Sequence, residues 1–112
     1  VNATAIVIAI GNSDDKLTQR EWAELIEEFE GWVDFYQEGV RFTLHGRWFS
    51  APDAPWQNAA WSIAWPDDEL AAIRSFKQDL RRVLAKYRQD TMAWTTGNTE
   101  LIPALNHPQE AQ

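Results

Sequence analysis

The sequence predicts an α+β domain in which a four-stranded antiparallel sheet carries two helices on one face. Three observations carry that expectation. Four short stretches that are β-branched or alternate between apolar and polar residues, and two stretches with apolar residues at helical spacing, follow in the order strand, helix, strand, strand, helix, strand. A capping box marks the start of the first helix. Seven tryptophans, four of them between residues 48 and 65, supply the apolar surface of a folded core, or of a ring-lined recognition surface.

Each element follows from local chemistry. Residues 3–10 (ATAIVIAI) are β-branched and apolar on both sides, the pattern of a central strand buried on each face, and Gly11 ends it. After the turn residues Gly11 to Lys16, Thr18 and Glu21 form the capping box, with Leu17 and Trp22 as its hydrophobic staple. Trp22, Leu25, Ile26 and Phe29 then recur at helical spacing. Gly31 is expected to end this helix, although Trp32, Val33 and Tyr36 can continue its stripe for a turn.

From Val40 the period becomes two. Val40, Phe42, Leu44 and Trp48 alternate with Arg41, Thr43, His45 and Arg47, and Trp61, Ile63 and Trp65 alternate with Ala60, Ser62 and Ala64. The connection over residues 49–58 is long for a hairpin and holds Pro52, Asp53, Pro55 and Trp56. Pro66-Asp67-Asp68-Glu69 opens a second helix with acidic residues at its positive end, and its stripe is Leu70, Ile73, Phe76, Leu80, Val83, Leu84 and Tyr87. Thr91 to Thr96 reads as the last strand and Gly97-Asn98 as a turn. Residues 1–103 are expected to form one domain, with 104–112 a flexible tail.

This order is the ferredoxin-like split βαβ (βαββαβ) arrangement. Right-handed crossovers place the strands in the spatial order 4-1-3-2. Strand parity lets Ile6, Ile8, Ile10, Phe42, Leu44, Trp48, Trp61, Ile63, Trp65 and either Met92 or Trp94 face the helices together, which makes most of the tryptophans core residues.

Two surfaces remain for function. The sheet face away from the helices shows Val7 and Ala9 beside Ser62, with Arg41, His45 and Arg47 on the outer strand. Its small centre suits either the chain's own Leu101-Ile102-Pro103 segment or a second copy, and a homodimer is the favoured expectation because an exposed apolar face otherwise invites aggregation. The second surface is one end of the sheet. There the topology gathers the loop after the first strand, the long 49–58 connection and the turn after the second helix. Asn12, Ser13, Asp14, Asp15, Asp53, Trp56, Asn58 and Arg88 are the candidate ligand or partner residues at that end. The opposing reading is that Asp14 and Asp15 are solvated turn residues and that Trp56 folds back over the core.

Composition narrows the chemistry. With 10 Lys+Arg against 17 Asp+Glu the formal charge is −7, which argues against nucleic-acid and anionic-membrane partners. Cysteine is absent, so disulfides and thiolate zinc sites are excluded; this is compatible with a reducing cytoplasm, the expected location, without requiring it, since secreted proteins can also lack cysteine. No apolar run reaches spanning length and no basic-then-apolar leader opens the sequence, while the start at Val1 rather than Met leaves upstream removal open. The pair Asp14-Asp15 lacks a calcium-loop pattern. The two histidines, His45 and His107, do not make a zinc trio, and Ser13 and Ser50 lack a nucleophile-elbow context. Gly11-Asn12-Ser13 matches no phosphate-binding pattern. No cofactor or metal is expected. The second helix and the turn after it carry Arg74, Lys77, Arg81, Arg82, Lys86 and Arg88 while the first carries Glu21, Glu24, Glu27, Glu28 and Glu30, so ion pairs between the helices are expected.

The stretches Ile8 to Trp22 (IAIGNSDDKLTQREW), His45 to Ala59 (HGRWFSAPDAPWQNA) and Gln89 to Trp94 resemble small uncharacterised proteins of actinobacteria and their phages. The resemblance brings forward the same three loops that topology gathers, and it implies no activity. The expected function is a non-enzymatic binding or interaction domain, a homodimer, that takes a protein or a small polar ligand at the end of the sheet. The alternative is a small hydrolase or isomerase with Asp14 or Asp15 as acid/base and Arg88 or Arg47 stabilising an anion.

Overall fold

A computed structural model describes residues 2–12, 16–51, 54 and 56–105. Its elements are β1 (Ala3–Gly11), α1 (Gln19–Val40), β2 (Thr43–Phe49), β3 (Asn58–Pro66), α2 (Ala71–Lys86) and β4 (Ala93–Gly97), with a 3-10 turn at Asp67–Glu69 leading into α2. The strands lie in the order β2-β3-β1-β4 and every pairing is antiparallel. With both helices on one face, this is the ferredoxin-like split βαβ topology.

The core sits between the sheet and the helices. Ile6, Ile8 and Ile10 of β1 and Trp61, Ile63 and Trp65 of β3 meet Leu25, Phe29 and Val33 of α1 and Phe76, Leu80, Val83 and Leu84 of α2. The intervening residues of β1 stay partly open: Val7 is exposed, and Ala5 and Ala9 are half-buried. β1 is therefore buried on one face only, not on both as its apolar run implies, because among the described residues no layer covers the other side.

Aromatic packing organises this core. Trp65 stacks between Phe42 and Phe76 at 5.4 Å from each, and Phe29 stacks on Trp61 at 4.9 Å. Both buried indoles find acceptors. Trp65 Nε1 donates to the Glu69 carbonyl at 2.8 Å, and Trp61 Nε1 donates to Glu30 Oε1 at 3.2 Å.

α1 starts as its capping box requires: the Glu21 N–H donates to Thr18 Oγ1, and the Thr18 N–H donates to Glu21 Oε1. It does not stop at Gly31. A mid-helix glycine costs about 1 kcal/mol relative to alanine, and continuing the helix buries Val33 and Val40 and half-buries Tyr36. The helix ends instead at Arg41, which adopts the left-handed conformation with φ 65°.

That ending corrects the reading of the second strand. Arg41 is a helix cap and not a strand residue, so it is not on the open sheet face. Leu44 pairs with Ile63 but Gly46 pairs with Ser62, so a bulge at His45 places two residues of β2 opposite one of β3. Beyond the bulge every side chain changes face. Arg47 opposes Trp61 on the helix side and ion-pairs with Glu30 at 2.7 Å, while Trp48 opposes Ala60 on the open side and is 57% exposed. Trp48 is thus not core, and Arg47, although it borders the groove of the open face, turns its guanidinium to Glu30 on the helix side.

The charge asymmetry of the helices is used in part as expected. Lys86 pairs with Glu28 at 3.0 Å, and Arg88, just past α2, pairs with Glu21 at 2.7 Å. Residues 98–105 follow β4 without regular structure and are exposed, so this part of the chain leaves the open face uncovered. His107 lies outside the described residues. Among the described residues no helix is long and apolar enough to cross a membrane.

Candidate functional site

The end of the sheet where β1 finishes is built around Asn12 and Gln57. The Asn12 N–H donates to the Gln57 carbonyl at 2.8 Å, and Asn12 Nδ2 donates to Gln57 Oε1 at 2.9 Å. Asn12 Nδ2 also reaches the Leu17 carbonyl at 3.0 Å, and Asn12 Oδ1 accepts from the Leu17 N–H at 3.0 Å. Gln57 Nε2 continues the chain of bonds to Gln19 Oε1 at 2.7 Å. Asn12 and Gln57 are both buried, and burial without these bonds would cost each amide several kcal/mol. Asn12 after β1, Leu17 and Gln19 at the start of α1 and Gln57 before β3 are therefore one hydrogen-bonded unit.

Asn58, next along β3, faces Gly11 across the ladder. A side-chain carbon on Gly11 would lie 2.6 Å from Asn58 Oδ1, so the absence of a side chain at Gly11 is what lets the carboxamide lie there. Ser50 holds the other side of Asn58, its Oγ accepting from the Asn58 N–H at 3.0 Å.

The third contributor arrives from α2. The Arg88 N–H donates to the Ala85 carbonyl and the Gln89 N–H to the Leu84 carbonyl, the bond pattern of a Schellman motif, with Arg88 at φ 61° in the position glycine usually takes. This reversal sends Gln89, Asp90 and Thr91 alongside the end of β1. Lys16 Nζ lies 3.4 Å from Asp90 Oδ2 and joins the two loops at the surface.

Between these segments lies an open cavity of about 380 Å³, lined by Gly11, Asn58, Gln89, Asp90, Thr91, Ala93 and the last turn of β1. Its origin is a length mismatch. β1 pairs with β3 as far as Gly11 but with β4 only as far as Ala9, so Ile10 and Gly11 have no strand beside them on the β4 side. The cavity thus offers backbone polar groups at a sheet edge, two carboxamides and a carboxylate.

No protein-family model and no curated protein matches this chain. The site is read from its own chemistry.

Of the residues expected at this end, Asn58 lines the cavity, and Asn12 holds the loops with both amide hydrogens committed inside the protein. Trp56 is 56% exposed and does not fold back over the core, but it is not part of the cavity wall. Arg88 is engaged by Glu21 and by the Lys16 carbonyl. Ser13, Asp14, Asp15 and Asp53 lie outside the described residues. Gln19, Asp90 and Thr91 are contributors that sequence patterning did not single out. A polar Gln-Asp-Thr run directly after a helix end was the available signal.

Among the described residues no three His, Cys, Asp or Glu side chains gather as a metal site. The groups whose acidity is displaced all move away from neutrality. Arg88 holds the Glu21 carboxyl below its usual range, and the Tyr87 hydroxyl does the same for Glu28. Burial and the hydrogen bond to Asp79 push Tyr36 up to about 12; the Glu28 carboxylate and burial push Tyr87 up to about 12.

On the open face, the register lines up Thr43, Ala64, Ala5 and Gly97 in one row, Gly46, Ser62, Val7 and Thr95 in the next, and Trp48, Ala60, Ala9 and Ala93 in a third. Of the expected dimer residues Val7, Ala9, His45 and Ser62 lie here. With Gly46, Trp48 and Ala60, the expected residues Val7, His45, Arg47 and Ser62 border a shallow groove of about 270 Å³.

Proposed function

We propose that this chain is a non-enzymatic, cytoplasmic interaction domain that works as a homodimer and binds a ligand rich in N–H and C=O groups at the end of the sheet. That ligand is a polypeptide segment or a small polar molecule of the same chemistry. The observation that carries this reading is the gap beside Ile10 and Gly11. There a sheet edge lacks its neighbouring strand, and Asn58, Gln89 and Asp90 supply acceptors and donors around it. An extended peptide or an amide-bearing molecule satisfies such an edge in the way an added strand does. The acid/base alternative rests on Asp14 or Asp15, which lie outside the described residues. The likeness to small actinobacterial and phage proteins belongs to this reading as a guide to where a partner is sought.

The test is an NMR titration with two probes, N-acetylalanine methylamide and a mixed tetrapeptide pool. The expected result is perturbation of the Gly11 and Ala93 amides and the Asn58 carboxamide by at least one probe, abolished by Asn58→Ala. A larger response to the tetrapeptides marks a polypeptide ligand. Spectra in which millimolar probe leaves this end unchanged overturn the proposal.

A further inference from the structure

We infer that the open sheet face is covered by a second copy of this chain, and that residues 99–105 of each copy lie as an arm against the groove bordered by Val7 and Trp48 of the other. This deepens the homodimer half of the proposed function; the face shares Ala9 and Ala93 with the sheet-end cavity but not Asn58, Gln89 or Asp90.

Charge is the first argument. Each copy carries a formal charge of −7, so two copies repel at long range, and a contact face without carboxylates adds no close-range repulsion to that. The three rows of this face contain no Asp, Glu, Lys or Arg, and the titratable side chains bordering its groove are His45 at the bulge and the cationic Arg47, with no carboxylate among them. The acidic residues crowd the helices instead. The bulge itself turns Trp48 outward onto this face, beside the exposed Val7, where an indole facing water gains nothing for the monomer.

Area is the second. At about 3.3 Å per residue and about 4.8 Å between strands, the face of each copy measures roughly 450 Å², or about 900 Å² for two. Stable interfaces bury about 1,200–2,000 Å² in total, so the sheet faces alone fall short. The missing area is present in the chain. Leu101, Ile102 and Leu105 are 89%, 80% and 88% exposed, and burying each removes roughly 100 Å² of apolar surface from water. Two such arms bring the total to about 1,500 Å².

An arm folded onto its own sheet does not do the same work. One extended segment covers about one strand width of a four-stranded face, which leaves Val7 or Trp48 open. β4 also leaves the sheet at the Ala5 end, away from the groove, and among the described residues no backbone hydrogen bond turns segment 98–105 back.

Sedimentation velocity of the full chain from 1 to 200 μM is expected to show a monomer–dimer equilibrium that tightens as salt is raised, because screening weakens the mutual repulsion of the two acidic copies. Val7→Arg is expected to weaken the dimer at least 100-fold with an unchanged circular dichroism spectrum; if it fails to fold, Ser62→Arg makes the same test from the neighbouring strand. Deleting residues 99–112 is expected to weaken it at least 10-fold. In a mixed-label sample, isotope-filtered NOEs should connect Ile102 of one copy with Val7 or Ala60 of the other. A monomer at 200 μM, a dimer indifferent to both Val7→Arg and the deletion, or NOEs from Ile102 confined to its own sheet each overturn the inference. A monomer that still binds probe through Asn58 would leave the sheet-end reading standing.

Discussion

Asn12 and Gln57 hold each other twice, through backbone N–H to carbonyl at 2.8 Å and through their carboxamides at 2.9 Å, and both are buried. Since Asn12 also caps Leu17 in both directions, Asn12→Ala strands the Leu17 N–H and carbonyl and the Gln57 side-chain oxygen. A buried polar group left without its partner costs about 1–3 kcal/mol. With partial relaxation, urea unfolding is expected to show a loss of about 2–3 kcal/mol for Asn12→Ala. A change under about 0.5 kcal/mol would mean that the loops hold together without this pair.

The seven tryptophans divide into structural and exposed ones, and truncation separates them. Trp61 and Trp65 are fully buried with their N–H groups satisfied, so replacing either by alanine is expected to cost about 3–5 kcal/mol. Trp48 and Trp56 are more than half exposed, and their truncation is expected to change monomer stability by no more than about 1 kcal/mol. Chemical denaturation of the four variants at a concentration where the chain is monomeric checks both halves.

Trp48 also shows where the sequence stops being legible. The strand order, both helix stripes and the capping box follow from periodicity and cap chemistry, which are local. The face of Trp48 depends on one extra residue at His45, and a bulge leaves no mark on an apolar/polar alternation that reads well without it. At Gly31 the sequence leaves two readings open, a stop at the glycine or a stripe continued by Trp32, Val33 and Tyr36, and the burial of Val33 and Val40 that decides for continuation is tertiary. For the site, strand order places Asn12, Gln57 and Gln89 at one end of the sheet. That Asn12 is spent as a brace while Asn58, Gln89 and Asp90 line the cavity rests on side-chain directions set by Gly11 and by the reversal at Arg88.

Both tyrosines of the chain have their phenols raised, so no normal tyrosine masks the effect. The absorbance titration near 295 nm is expected to lack a step at pH 10 and to rise toward pH 12. A group whose folded value is raised contributes stability that is complete below its unfolded value and is lost as pH climbs through the folded one. Unfolding measurements should therefore show stability falling between pH 10 and 12. A half-amplitude step at pH 10 would show that one of the two hydroxyls is free.

The bond from the Tyr87 hydroxyl to Glu28 acts at the acid end as well. It is the leading cause of the lowered Glu28 carboxyl, followed among the favourable causes by Lys86, and Arg88 lowers Glu21 in the same direction. Lowered carboxyls contribute stability above their unfolded value of 4.5 that is lost as pH falls through the folded value. Tyr87→Phe keeps the ring and removes the donor. It is expected to flatten the stability profile below pH 4.5 and to halve the alkaline absorbance change, leaving Tyr36 alone at about 12. An acid limb identical to that of the unsubstituted chain would assign the acid sensitivity to Glu21 and Arg88 instead.

Two arginines sit where the backbone favours glycine, and they differ in what holds them there. Arg41 closes α1 at φ 65° as an exposed residue, so Arg41→Gly relieves a left-handed strain of roughly 1 kcal/mol and is expected to raise the melting temperature by several degrees. Arg88 closes α2 at φ 61° but also pairs with Glu21 at 2.7 Å and reaches the Lys16 carbonyl. In Arg88→Gly the same relief is offset by the loss of a surface pair of about 0–1 kcal/mol, so its melting temperature is expected to stay close to that of the original chain. Arg88→Ala loses the pair and keeps the strain, and should be the least stable of the three. If Arg88→Gly gained as much as Arg41→Gly, the guanidinium–Glu21 pair would be contributing nothing to the placement of Gln89, Asp90 and Thr91 at the cavity, and the Schellman reversal alone would account for it.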